Sequence, residues 1–96
     1  MAIKEINWNK ADIDTSKPGS VIIDDKNFAE SIKNNPDEIF DLIRQKMMPI
    51  DSRNVKIDPL GRVIFNDDKF RDEIERAVTR MDAADAMVNI GCGLGC

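Results

Sequence analysis

Histidine and tyrosine are absent from this 96-residue chain, and its aromatic side chains amount to one tryptophan and four phenylalanines. The lack of histidine removes the commonest general base and the commonest metal ligand together. Cysteine is confined to Cys92 and Cys96, and these two cannot supply the four Cys or His ligands that a structural zinc takes. No stretch approaches the ~20 apolar residues that cross a bilayer, and the start, MAIKEINWNK, lacks the apolar run of a secretory signal. Cations are in the minority: 14 Lys and Arg against 18 Asp and Glu leave a net charge of -4. No basic cluster is available to neutralise a phosphate backbone, which argues against nucleic acid as a direct partner. The expectation is a protein made and kept in the cytoplasm, with no metal or cofactor and no membrane contact. Enzymatic activity is not expected either, because no acid-base constellation accompanies the thiols.

What remains is a charged chain of single-domain size. A hydrophobic fraction of 42% and a charged fraction of 33% describe a folded chain rather than a disordered one. A chain this short buries only about two-thirds of its unfolded surface, so its core is modest. Residues 1–19 mix polar residues around Ile3, Ile6, Trp8 and Ile13 and close on Ser16-Lys17-Pro18-Gly19, which reads as a loose arm ending in a turn. The β-branched run from Ser20 to Asp24 predicts a short strand. Phe28 and Ile32 share a face of a helix over 26–34, with Asp25 placed to cap it. Pro36 opens a second helix through Met48. Its apolar face carries Ile39, Phe40, Ile43 and Met47, with acidic residues at its start and Arg44 and Lys46 at its end. Pro49 stops that helix. The runs NVKID and RVIFN flank Pro59-Leu60-Gly61 and predict a hairpin. Asn66 to Asp68 then caps the longest helix, expected over 68–87 with Phe70, Ile74, Ala77, Val78 and Met81 inward. The predicted class is α+β, mostly helical: three helices with a short β-hairpin or small sheet, a flexible N-terminal arm (1–19), a folded body (20–87) and a C-terminal tail (88–96).

One internal echo runs through this pattern. VIIDDKNFAESI, from Val21 to Ile32, and VIFNDDKFRDEI, from Val63 to Ile74, align without gaps, and both read as strand, Asx cap and helix opened by phenylalanine. Either this is what any strand-cap-helix unit looks like, or a unit is repeated and its two strands pair in one sheet.

The tail is the anomaly. NIGCGLGC, from Asn89 to Cys96, holds both cysteines, three of the five glycines and no charge. The C-x-x-x-C spacing is not the C-x-x-C of a redox dithiol, and no neighbouring base could activate either thiol. Glycine gives the segment a backbone that can enter a foreign active site or bend into a ring. A charged, structured region followed by the pairs Gly91-Cys92 and Gly95-Cys96 resembles the precursor peptides of ribosomally synthesised and post-translationally modified natural products. The resemblance implies a leader bound by modifying enzymes, a core made of Asn89, Ile90, Gly91, Cys92, Gly93, Leu94, Gly95 and Cys96 that is chemically altered, and a protease that removes the leader, with any export falling to the core product. No Ser or Thr follows Thr79, so dehydration and thioether bridging lack acceptors, whereas Gly-Cys pairs suit closure of the thiol onto the preceding carbonyl. Oxidation of cysteine, a sulfur-to-α-carbon bridge and backbone N-methylation remain open at this stage. For partner binding, the strands Val21, Ile22, Ile23 and Val63, Ile64, Phe65 are candidates for addition to a partner's sheet edge. The competing expectation is a small interaction module that docks Met87 and Val88 as a continuation of its last helix, with a thiol tail for sulfur or metal handling.

Overall fold

A computed structural model of the chain describes residues 6–80 and 87–89. The strands are β1 (Asn7–Asn9), β2 (Ile13–Asp14), β3 (Val21–Ile23), β4 (Val55–Ile57), β5 (Val63–Phe65) and β6 (Met87–Asn89), and the helices are α1 (Lys26–Asn34), α2 (Pro36–Lys46) and α3 (Asp68–Arg80). Four strands form an antiparallel sheet in the order β2-β3-β5-β4, and β1 pairs separately with β6. The class is therefore α+β. Alternation along β3 and β5 turns Val21, Ile23, Val63 and Phe65 fully inward, where they join Phe28 and Ile32 of α1, Ile39, Leu42 and Ile43 of α2, and Phe70 and Ile74 of α3 in one core.

The echo in the sequence is a structural repeat, and it is longer than the sequence suggests. Landmarks recur at a constant interval of 42 residues, that from Ile22 to Ile64. Asn9 caps a 3-10 turn at Lys10–Asp12, its side chain accepting from the Ala11 N–H at 3.0 Å, and Asp51 caps the turn at Ser52–Asn54 in the same way, accepting from the Arg53 N–H at 2.9 Å. The Asp24 N–H donates to the Asp12 carbonyl and the Asn66 N–H to that of Asn54, both at 2.8 Å. Gly19 and Gly61 adopt positive φ of 78° and 81°, a conformation that glycine enters without a Cβ clash. Asp25 and Asp67 cap α1 and α3 by accepting from the Phe28 and Phe70 N–H groups, each at 3.0 Å.

The two units pack about a local two-fold axis. Ile22 pairs with Ile64, Val21 with Phe65 and Ile23 with Val63, so exchanging the units leaves the register unchanged and the axis passes between the two isoleucines. The outer strands obey the same symmetry: Ile13 lies opposite Ile23 as Val55 lies opposite Phe65, and Asp14 opposite Ile22 as Lys56 opposite Ile64.

Three sequence expectations change. The arm over 1–19 is not loose where it is described: Ile6 and Trp8 are core residues, with Trp8 at 0% exposure, and residues 7–9 and 13–14 are strands, because the indole fills the space among Phe28, Phe65 and Phe70. Of the two alternatives, a hairpin or a small sheet, the main sheet is the second, with four strands. The last helix does not run to Met87. It is described to Arg80, and Met87–Asn89 is extended, while residues 81–86 and 90–96, with the tail cysteines, lie outside the described residues. On α2 the inward face is Ile39, Leu42 and Ile43, and Phe40 is half-buried.

Candidate functional site

The strongest site expectation from the sequence was the segment from Asn89 onward. Asn89 is described, and it belongs to the fold: β6 pairs antiparallel with β1 in the register Asn7 to Asn89, Trp8 to Val88 and Asn9 to Met87. Val88 and Asn89, placed in the tail by the sequence, are thus strand residues. The ribbon is held to the body through β1, whose central residue is the buried Trp8. That ring lies edge-on to Phe28 at 5.0 Å between centroids, and Phe65 and Phe70 close the cluster at 4.5 Å. Rings at these separations add attraction beyond the area they bury. Ile90, Gly91, Cys92, Gly93, Leu94, Gly95 and Cys96 lie outside the described residues.

The strands proposed for docking on a partner, Val21 to Ile23 and Val63 to Phe65, are the two central strands. Each has a neighbour on both sides, so neither offers an edge, and strand addition there is excluded. The edges belong to β2, too short to leave a periodic signal, and to β4, a strand the sequence predicts but whose edge position only the sheet order shows. At β4, Asn54 and Asp58 bond inward: the Asn54 carbonyl accepts from the Asn66 N–H, and the Asp58 N–H donates to the Arg62 carbonyl at 2.9 Å. Antiparallel pairing alternates, so Val55 and Ile57 direct their backbone groups outward. The Val55 N–H turns back to the Ser52 carbonyl. This leaves the Val55 carbonyl and both backbone groups of Ile57 without a partner among the described residues. Their side chains pack against the core, while Lys56 is exposed on the opposite face.

At β2 the symmetry is broken. Arg71 of α3 donates from Nη2 to the Thr15 carbonyl at 2.6 Å, satisfying the outward acceptor that immediately follows Asp14. Arg71 also pairs with Asp72 at 3.4 Å and with Glu75, which holds the guanidinium in place. The residue equivalent to Arg71 in the first unit is Ala29, and that equivalent to Thr15 is Ile57. Among the described residues no arginine bonds to the β4 edge.

Charge elsewhere is arranged in local pairs. Asp51 receives the Arg53 side chain at 2.7 Å as well as its N–H. These hydrogen bonds, side chain first, hold its carboxyl at about 2, below the ordinary 3.8. Asp14 is lowered by the Ser16 hydroxyl at 2.6 Å and by the Ser16 N–H, and Asp58 chiefly by the Arg62 N–H at 2.8 Å, with the Arg62 side chain at 2.6 Å adding to it. Each of these carboxylates is tied to a turn or a neighbouring strand rather than aimed into a cleft, which is the arrangement of structural acids, not of catalytic ones. Among the described residues no group of three or more Cys, Asp or Glu is placed to hold a metal ion, and no helix is long and apolar enough to cross a membrane. A groove runs between Met47, Met48 and Pro49 and the Lys69, Glu73 and Arg76 side of α3. Comparison with protein-family models, with curated proteins and with solved structures finds no match for this chain.

Proposed function

We propose that the chain is a precursor whose folded part, up to Asn89, is recognised by modifying enzymes and whose Gly/Cys tail, Ile90 to Cys96, is the part they alter. A leader-processing protease then separates the two. The observation that carries the reading is one of position: β6 ties Asn89 to Asn7 of the body, and both thiols of the chain follow it within seven residues, in a segment that carries no charge. Asp25 and Asp67 cap helices and Asp41, Asp51 and Asp58 are ion-paired, which leaves Cys92 and Cys96 as the chain's two thiols.

The chemistry that suits Gly91-Cys92 and Gly95-Cys96 is ring closure. Each sulfur attacks the carbonyl carbon of the preceding glycine, and the carbonyl oxygen leaves as one water per ring; a modifying enzyme that carries its own two-electron acceptor then removes two hydrogens to take a thiazoline to a thiazole. Glycine leaves the carbonyl unhindered for the attack. The body takes no part in the chemistry and acts as substrate, in the cytoplasm, with no cofactor of its own. The net charge of -4 favours protein partners over nucleic acid or an anionic membrane surface.

The test is the intact mass of the chain co-produced with the enzymes encoded beside its gene, with fragmentation across 89–96. Loss of water, or of water and hydrogen, confined to that segment is the expected result. An unchanged mass with two free thiols would sink the reading. It would bring forward a second one, a small interaction module with a thiol tail for sulfur or metal handling, which the open β4 edge favours.

A further inference from the structure

We infer that β4 is a docking edge for an extended strand of a different protein, one that places an acidic residue opposite Lys56 and apolar residues beside Val55 and Ile57. The inference rests on the broken symmetry of the sheet and stands whatever happens to the tail. The two outer strands are equivalent in position, register and preceding turn, yet among the described residues a side chain caps an outward acceptor on only one of them: Arg71 occupies the Thr15 carbonyl beside β2, and Ala29 stands in its place beside β4. At β4 the Val55 carbonyl and the Ile57 N–H and carbonyl face outward in the spacing that a further antiparallel strand requires.

A second copy of the chain is a poor occupant, for two reasons. Pairing β4 with β4 of another molecule over all three residues centres on Lys56 and sets two lysines against each other, which is unfavourable for a directly opposed pair. Pairing β4 with β2 of another molecule would bring Lys56 to Asp14, but Arg71 already occupies the Thr15 carbonyl that such a pairing would use. Lysine on an edge is a common deterrent to indiscriminate strand pairing, and here it leaves a strand with a carboxylate at the central position as the favoured guest.

The test uses the full chain, labelled with nitrogen-15 and titrated with two capped heptapeptides, one alternating valine with glutamate and the other valine with lysine. The glutamate peptide is expected to shift the amides of 55–57 and to bind about fivefold more tightly than the lysine peptide, the size of one cross-strand charge pair exchanged for a repulsion. Lys56→Glu, at an exposed position, should reverse that preference, and Ile57→Pro should remove the outward N–H and abolish the shifts. The inference is overturned if neither peptide perturbs 55–57 at millimolar concentration, if the shifts centre on 13–15 instead, if Lys56→Glu leaves the preference unchanged, or if sedimentation shows the free chain pairing with itself through β4.

Discussion

Ile22 and Ile64 lie opposite each other at the centre of the sheet, at equivalent places in two units that share a capped 3-10 turn, an outer strand, a left-handed glycine, an inner strand and an aspartate-capped helix. The core around them is therefore built twice from the same instructions, and equivalent residues can be compared as if in two proteins. Four predictions follow from this relationship and from the ribbon that departs from it.

Asp25→Ala and Asp67→Ala are expected to cost nearly the same. Each removes one cap at 3.0 Å to the N–H of a core phenylalanine, a loss of about 1 kcal/mol. Urea unfolding of the two variants should give midpoints that coincide closely; a difference of more than about 1 kcal/mol would mean that the two caps are not equivalent in weight.

The paired glycines should differ. Both sit at positive φ, so alanine costs about 1 kcal/mol at each. At Gly61 the new methyl meets only Lys26 Cγ at 3.6 Å, but at Gly19 it falls 2.8 Å from Asp68 Oδ1, and that side chain must move. Gly19→Ala is therefore the more destabilising, and Asp68→Ala combined with it should bring the two costs together in thermal unfolding.

Trp8→Ala should be among the most damaging single changes, at about 3–5 kcal/mol, because a fully buried indole is replaced by a cavity. As the chain's one tryptophan, it also reports on the ribbon. Removing residues 90–96 should leave its emission blue-shifted and the stability unchanged. Removing 87–96, which takes away the partner of β1, should shift the emission to the red and lower the unfolding midpoint. Equal behaviour of the two truncations would separate β6 from the body.

Acid sensitivity follows from Asp51. Its folded carboxyl titrates at about 2 against 3.8 for the free group, so the folded state binds the proton less tightly than the unfolded state. The resulting stabilisation is complete above about pH 4 and is lost as the pH falls towards 2. Asp14 and Asp58, also lowered, act in the same direction. Asp51→Asn should flatten the decline, read as urea midpoints between pH 5 and 2, and added salt should weaken the effect because the pair with Arg53 is exposed.

Much of the body is legible in the sequence because its signals are local. Asp25 before Phe28, the run Val21 to Ile23 and the turn at Gly61 each announce their structure within a few residues. Where reading fails, the deciding contact is distant. Nothing near Asn7-Trp8-Asn9 announces a strand, since its partner is Met87–Asn89 at the other end of the chain. Ile13-Asp14 is too short to alternate. The apolar spacing after Arg80 continues a helical pattern through Val88, but the pairing with β1 makes 87–89 extended. Phe40 fits a helical face with Ile43, yet the neighbouring Leu42 takes the inward position. On the site, composition alone marks the tail, whereas the edge of β4 needs the sheet order before it can be seen.

The pairing of Asn7 with Asn89 also sets a leash. Extended chain covers at most about 3.5 Å per residue, so Cys92 can stand no more than about 10 Å from the last paired residue and Cys96 no more than about 25 Å. An active site that reaches the first thiol must come almost into contact with the surface beside Trp8, while one that takes only the second can remain well clear of it. Under the proposed precursor reading, the order of reaction along the tail becomes a matter of length.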